Sequence, residues 1–152
     1  MRVYLAGPLF TAAERAFNAR LRDLLVAAGH EVWLPQEREP VATGVRETFL
    51  TDIEGLDWSE VVIANMDGPD PDSGTCWECG YAYCKKKKII LFRTDFRRAG
   101  EAGLGPYNLM LAASADERID LPSNTASNAV EVLAGKLLAA LDIVAEKHAA
   151  AR

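Results

Sequence analysis

With 152 residues, 49% of them hydrophobic and 26% charged, the chain has the make-up of one soluble globular domain with one core, not of a disordered or fibrous protein. A formal net charge of -5 disfavours nucleic-acid binding, which draws on a basic face. No apolar stretch is long enough to cross a bilayer, Met1 to Pro8 runs into a strand-like segment instead of a signal peptide, and Cys76, Cys79 and Cys84 fit a reducing compartment, so a cytoplasmic protein with no membrane partner is expected.

Along the chain, strand-length apolar runs alternate with stretches of helical period. Arg2 to Ala6 reads as a first strand. Ala13, Phe17, Leu21, Leu24, Leu25 and Ala28 recur at three- and four-residue steps, which predicts a helix over Thr11 to Ala28 with Gly29 as its stop. Glu31 to Leu34 is a second strand closed by Pro35, and 35–44 a polar loop. Val45 to Leu56 reads as a helix with Phe49, Ile53 and Leu56 on one side. Val61 to Asn65 is a third strand, Thr75 to Cys84 a third helix and Lys88 to Phe92 a fourth strand. A long Gly-containing loop is expected over 93–106, a short helix over Tyr107 to Ser114, a weak fifth strand over Arg118 to Leu121, and a long helix from Asn124 to about Ala149 whose tail frays after about 148. This alternation predicts an α/β fold in a single domain: a flavodoxin-like, doubly wound, mostly parallel five-stranded sheet with helices on both faces. The strand order is not readable from the pattern.

The segment Asp70-Pro-Asp-Ser-Gly-Thr-Cys-Trp-Glu78-Cys-Gly-Tyr-Ala-Tyr83 concentrates the chemistry. It places one carboxylate, Asp72, in a loop after an apolar strand and a second, Glu78, about one turn inside the next helix. Open α/β sheets build polar sites at the carboxyl ends of their strands. Two such groups can divide a glycosyl transfer, one attacking and one orienting or protonating. Glu78 has no Lys or Arg at helical spacing, which turns it from a surface residue towards a pocket. The bland alternatives are a turn or helix-start carboxylate for Asp72, a turn former for Asp67 and a core position for Tyr4. Gly7 permits a close backbone approach to a ligand, and Phe10 offers a flat face to a base. Cys76-Trp-Glu-Cys79 has dithiol spacing, but Glu78 would oppose a thiolate. His30 and His148 lie too far off to complete a zinc site. Lys85 to Lys88 reads as a solvated helix end that complements the helix dipole.

Together these residues make the chain resemble the nucleoside 2-deoxyribosyltransferases and their nucleotide N-glycosidase relatives, over roughly Val3 to Ala115. The matching segments are Tyr4-Leu-Ala-Gly-Pro-Leu-Phe-Thr11, Asp52-Ile-Glu-Gly-Leu-Asp-Trp-Ser-Glu60 with the strand after it, Asp72 to Ala82, and Asn108-Leu-Met110. The resemblance implies that Glu78 is the nucleophile, that Tyr4 orients it, that Asp72 binds sugar hydroxyls and that Asp52 contacts the base and helps protonate the leaving nitrogen. It further implies that Gln36 and Phe10 bind the base, with Gly7 in the base-binding loop, and that Asn108 and Met110 close a partner subunit's pocket in a homo-oligomer. Leu9 replaces an aromatic residue of some members. Members that bind a phosphate carry Ser and Arg near the first loop; here that loop is Ala6-Gly-Pro-Leu-Phe10 with only Thr11 and Arg15 close by, which favours a nucleoside over a nucleotide.

The expected activity is therefore transfer of a (deoxy)ribosyl group between nucleobases through a glycosyl ester on Glu78, with no metal and no redox cofactor needed. The alternatives are an N-glycosidase using the same residues, a dithiol oxidoreductase through Cys76 and Cys79, and a binding protein without turnover.

Overall fold

The computed structural model describes residues 1–38, 44–97, 106–121 and 129–150. Strands β1 (Arg2–Ala6), β2 (Glu31–Trp33), β3 (Val61–Asn65), β4 (Lys88–Arg93) and β5 (Glu117–Asp120) form one sheet in the order β2-β1-β3-β4-β5. Every pairing in it is parallel. This is the flavodoxin-like order, in which the chain reverses its direction of travel between β1 and β3 and opens a crevice there. The helices are α1 (Ala12–Ala27), α2 (Val45–Trp58), α3 (Ser73–Cys84), α4 (Leu109–Ser114) and α5 (Ala129–Ala150), with a 3-10 turn over Pro35–Glu37. The rest of the loop expected over 35–44, the loop over 93–106, the start of the last helix at Asn124 and the frayed tail fall wholly or partly outside the described residues.

The inner strands β1, β3 and β4 are largely apolar because both faces of the sheet are covered there, yet the pleat still sorts their side chains. Val3 and Leu5 of β1, Val61 and Ile63 of β3, and Ile90 and Phe92 of β4 pack with Leu21 and Leu25 of α1 and Leu133, Leu137 and Leu141 of α5. Tyr4, Ala6, Val62, Ala64, Ile89 and Leu91 point the other way, towards Leu56 of α2, Cys79 and Ala82 of α3 and Leu111 of α4. Each buried aliphatic side chain contributes about 1.5–3 kcal/mol. Alternation along β1 thus puts Tyr4, a phenol, on the face covered by α2 and α3, where its hydroxyl needs a partner.

Local signals set the helix ends. Thr11 caps α1 in a reciprocal box: its hydroxyl accepts from the Glu14 N–H at 3.2 Å and Glu14 Oε2 accepts from the Thr11 N–H at 2.7 Å. Gly29 closes the helix with φ of 89°, in the left-handed region. Of the apolar positions expected on α1, Ala13 and Ala28 are exposed, and Asn18 is buried in their stead. Its Nδ2 donates to Pro8 O at 2.9 Å and Gln36 Oε1 at 3.2 Å, tying the loop after β1 to the turn after β2.

Helix α3 begins at Ser73 because Asp72 caps it: Oδ2 accepts from Thr75 N at 2.8 Å and Thr75 Oγ1 at 3.0 Å. At its far end the lysine run is more than a solvated terminus. Lys85 pairs with Asp57 at 3.0 Å, Lys87 donates to the Ser59 and Asp57 carbonyls, and Lys88 pairs with Asp116 at 2.9 Å. The end of α3 is thereby pinned to the end of α2.

The loops after β3 and β4 are knotted by polar groups. Arg93 is fully buried, and its guanidinium donates to the carbonyls of Met66, Gly68 and Arg97. Asp67 accepts from Thr94 N and Oγ1, both at 2.6 Å, and from Asp95 N at 2.8 Å. Asp67 is thus a cross-loop acceptor, a role that its turn-forming setting Met66-Asp-Gly-Pro does not reveal. The knot fixes the exit from β3 and with it the approach to Asp72.

Candidate active site

The centre of the site is the pair Tyr4 and Glu78. The Tyr4 hydroxyl, at the middle of β1, donates to Glu78 Oε1 at 2.5 Å. Tyr4 is completely buried, so this bond satisfies a group that would otherwise be orphaned in the core. Glu78 lies one turn into α3 and is half-buried, with its carboxylate on a cavity of about 320 Å³. From α3 the cavity is lined by Gly74, Trp77 and Glu78, and from α2 by Phe49, Asp52, Ile53 and Leu56. The α2 residues recur at i, i+3, i+4 and i+7, the spacing of a single helix face. Gly74 precedes Glu78 by one turn and carries no side chain to fill the space before it.

Burial pushes the Glu78 carboxyl up to about 7. The Tyr4 hydrogen bond opposes that rise, while the charges of Asp52 and Asp72 add to it. Burial likewise pushes the Tyr4 phenol far above its ordinary range, helped by the Glu78 and Asp52 charges, so it stays a donor at any working pH. The result is a carboxyl group half-ionised near neutrality, oriented by a fixed phenol and facing a cavity shared with a second carboxylate. Such a group can act as a nucleophile or as an acid–base catalyst.

The remaining sequence candidates occupy different places. Asp72 Oδ2 is committed to the α3 cap, which leaves Oδ1 as the oxygen free of that cap. At Gly7, an added Cβ would lie 3.0 Å from Asn65 Cβ, so the close approach this glycine permits is of the loop after β1 to the end of β3. Phe10 is 75% exposed beside the α1 cap and does not line the Glu78 cavity. Gln36 has both ends of its amide bonded to α1: Nε2 donates to Arg15 O at 2.9 Å, and Oε1 accepts from Asn18. Asn108 caps α4 through its Met110 N–H bond of 2.9 Å. Met110 is 72% exposed and lines a separate apolar groove with Cys76, Gly80 and Tyr83. Sequence reading missed Phe49 and Trp77 as cavity walls; the signal for Phe49 was its position one turn before Asp52.

The cysteines do not suit thiol exchange. All three are free, burial pushes the Cys79 thiol up to about 12 with Glu78 adding to the rise, and burial with Asp72 and Asp70 raises Cys76.

The sequence profile of the nucleoside 2-deoxyribosyltransferases matches residues 3–120. The chain belongs to that family. Among curated proteins none matches it significantly. Solved structures of nucleoside 2-deoxyribosyltransferase type do. The 2-deoxyribosyltransferase of Bacillus psychrosaccharolyticus is 26% identical, with 78% of this chain and 85% of that chain covered and a TM-score of 0.65. That of Leishmania mexicana is 27% identical, with coverage of 72% and 84% and a TM-score of 0.59. The CMP N-glycosidase BcmB of Clostridium botulinum, at 21% identity, shares the fold over 90% of this chain and 98% of its own, with a TM-score of 0.63. No helix among the described residues of this nucleoside 2-deoxyribosyltransferase family member is long and apolar enough to cross a membrane.

Proposed function

We propose that the protein is a cytoplasmic enzyme that transfers a 2-deoxyribosyl group from one nucleobase to another through a covalent ester on Glu78. The observation that carries this reading is the Tyr4–Glu78 hydrogen bond at the wall of a cavity that also holds Asp52. A Glu78 oxygen attacks C1′ of the nucleoside. The C1′–N bond breaks with its electron pair going to the base nitrogen, which takes a proton from Asp52. A ring nitrogen of the second base then attacks C1′, the C1′–O pair returns to Glu78, and the proton of the incoming base passes to Asp52. Two inversions give net retention. Tyr4 holds the attacking carboxylate in one orientation throughout, and Oδ1 of Asp72 binds a sugar hydroxyl. No step needs a metal or a redox cofactor, because the positive charge that develops on the sugar is met by Glu78 itself.

Asn108 and Met110 complete the pocket of a second copy of the chain, which makes the active form a homo-oligomer. Support comes from their placement: Met110 is exposed on a groove away from the Glu78 cavity of its own chain. A nucleoside is favoured over a nucleotide because the two phosphate candidates near the first loop are already engaged. Thr11 caps α1, and Arg15 donates to Leu9 O at 3.4 Å and Gln36 O at 3.2 Å.

The test is incubation with a 2′-deoxynucleoside and a different free base, followed by chromatography. The new nucleoside forms with the wild-type chain, and the peptide that carries Glu78 gains the mass of the sugar ester. Glu78→Ala abolishes both while remaining folded; wild-type rates for this variant would discard the mechanism. Free sugar released in the absence of an acceptor base would make water the second nucleophile and the protein an N-glycosidase with the same residues.

A further inference from the structure

We propose that Phe49 and Trp77 form an aromatic platform that holds the nucleobase beside Glu78, and that Trp77 governs whether the glycosyl ester is taken by a second base or by water. This rests on the transferase reading above and adds residues that it does not use. Both rings line the Glu78 cavity, and both remain largely open to it and to solvent, at 46% and 49% exposure. Their centroids lie 5.5 Å apart with the planes at 65°, which makes a corner instead of a flat wall. The indole does not swing freely. Tyr81 stacks behind it at 5.5 Å and 17°, the Tyr81 hydroxyl donates to Asp57 at 3.0 Å, and the Lys85 ammonium lies 5.0 Å over the Tyr81 ring. A held aromatic surface of this kind loses little freedom when a flat ligand settles on it.

The reaction explains why stacking is the right recognition here. A transferase must accept two different bases in turn in one cavity. Hydrogen-bond readout would favour one of them, whereas every base presents a π-face to an aromatic ring. The base bonded to C1′ has to lie within a few bond lengths of Glu78, in the cavity that Trp77 and Phe49 wall. An incoming base seated there also displaces the water that would otherwise attack C1′, so loss of the platform moves product from nucleoside to free sugar. In either branch the C1′–O bond breaks towards Glu78 as the new C1′–N or C1′–O bond forms, and the nucleophile gives its proton to Asp52.

The test separates binding from turnover. In full-length Glu78→Ala protein, adenine and cytosine are titrated by calorimetry with and without Trp77→Ala, Phe49→Ala or Trp77→Phe. Trp77→Ala weakens both bases by roughly tenfold or more, Phe49→Ala weakens them less, and Trp77→Phe stays within about threefold of its parent. With Glu78 in place, Trp77→Ala raises the KM for the acceptor base by a similar factor and increases the ratio of free sugar to nucleoside. Unchanged base affinity in both Trp77→Ala and Phe49→Ala overturns the proposal, as does a change confined to subunit mass. Base binding that depends on Trp77 in a chain without transfer or base release leaves the platform standing and removes the transferase reading instead. If Trp77→Ala fails to fold, the Phe49→Ala and Trp77→Phe arms decide.

Discussion

Tyr4 and Glu78, 74 residues apart in sequence, share a hydrogen bond of 2.5 Å between a strand buried in the middle of the sheet and the helix packed on its face. Their chemistry is mutual. The carboxylate satisfies a hydroxyl that the core would otherwise strand, and the hydroxyl holds down the pKa of a carboxyl that burial pushes up.

That opposition gives a signed prediction for Tyr4→Phe. The ring still fills its place in the core, but Glu78 loses its donor. A hydrogen bond to a charged group contributes about 1.5–3 kcal/mol, so kcat/KM falls by roughly ten- to a hundredfold. Because the Tyr4 bond lowers the Glu78 pKa, its removal raises that pKa further. The acid limb of the kcat/KM profile, where the rate rises as Glu78 ionises, begins near pH 7 in the wild type and moves to higher pH in the variant. A rate loss with an unmoved limb would show that Tyr4 acts on the substrate and not on Glu78.

Glu78 carries a stability cost with the same origin. Its folded pKa of about 7 lies above the ordinary value of 4.5, so the folded state binds the proton more tightly than the unfolded chain. The sign follows from linkage: the contribution is fully present below pH 4.5 and is lost as pH rises through 7, to a total on the order of 3 kcal/mol. Glu78→Gln removes the titration. The variant's Tm relative to wild type therefore climbs between pH 5 and pH 8, by roughly 5–10 °C for a chain of this size, while its transfer activity is lost. A constant Tm difference across that range would mean that Glu78 does not titrate there.

The sequence made the scaffold legible and the side-chain meetings much less so. The extents of β1 and β3 could be read to the residue because fully covered strands are apolar runs bounded by polar or turn residues. The three- and four-residue apolar steps and Gly29 marked α1 for equally local reasons. Glu78 stood out as a carboxylate in an apolar helix and Asp72 by its place in the loop before that helix, whereas Asp52 was marked only by the family resemblance. What remained hidden was contact between elements. Nothing near Arg93 in sequence announces that its guanidinium serves carbonyls at 66, 68 and 97. Likewise, Phe49 reads as one more apolar residue of α2 until α3 brings Trp77 against it. Strand order was unreadable because the three inner strands β1, β3 and β4 carry nearly the same buried pattern and pairing depends on the crossovers.

Gly55 links the scaffold to the site and supplies the last prediction. It is buried on α2, one turn after Asp52, and a Cβ there would lie 2.4 Å from the Trp33 indole nitrogen and 2.5–2.6 Å from two of its carbons. Trp33 has little room to yield: the Trp58 ring lies 5.9 Å away and the Arg38 guanidinium sits 4.8 Å over its ring. Gly55→Ala therefore pushes α2 away from β2, at a cost of about 1–3 kcal/mol. The push falls on Asp52 and Phe49, so kcat/KM drops along with Tm, since a displacement of about 1 Å at a catalytic group can cost on the order of a hundredfold. Shrinking the neighbour should undo the clash. Gly55→Ala combined with Trp33→Leu is expected to be more stable and more active than the sum of the two single changes, a coupling that a double-mutant cycle measures directly. Strict additivity would place the strain of Gly55→Ala somewhere other than the Trp33 ring and break the proposed path from sheet edge to active site.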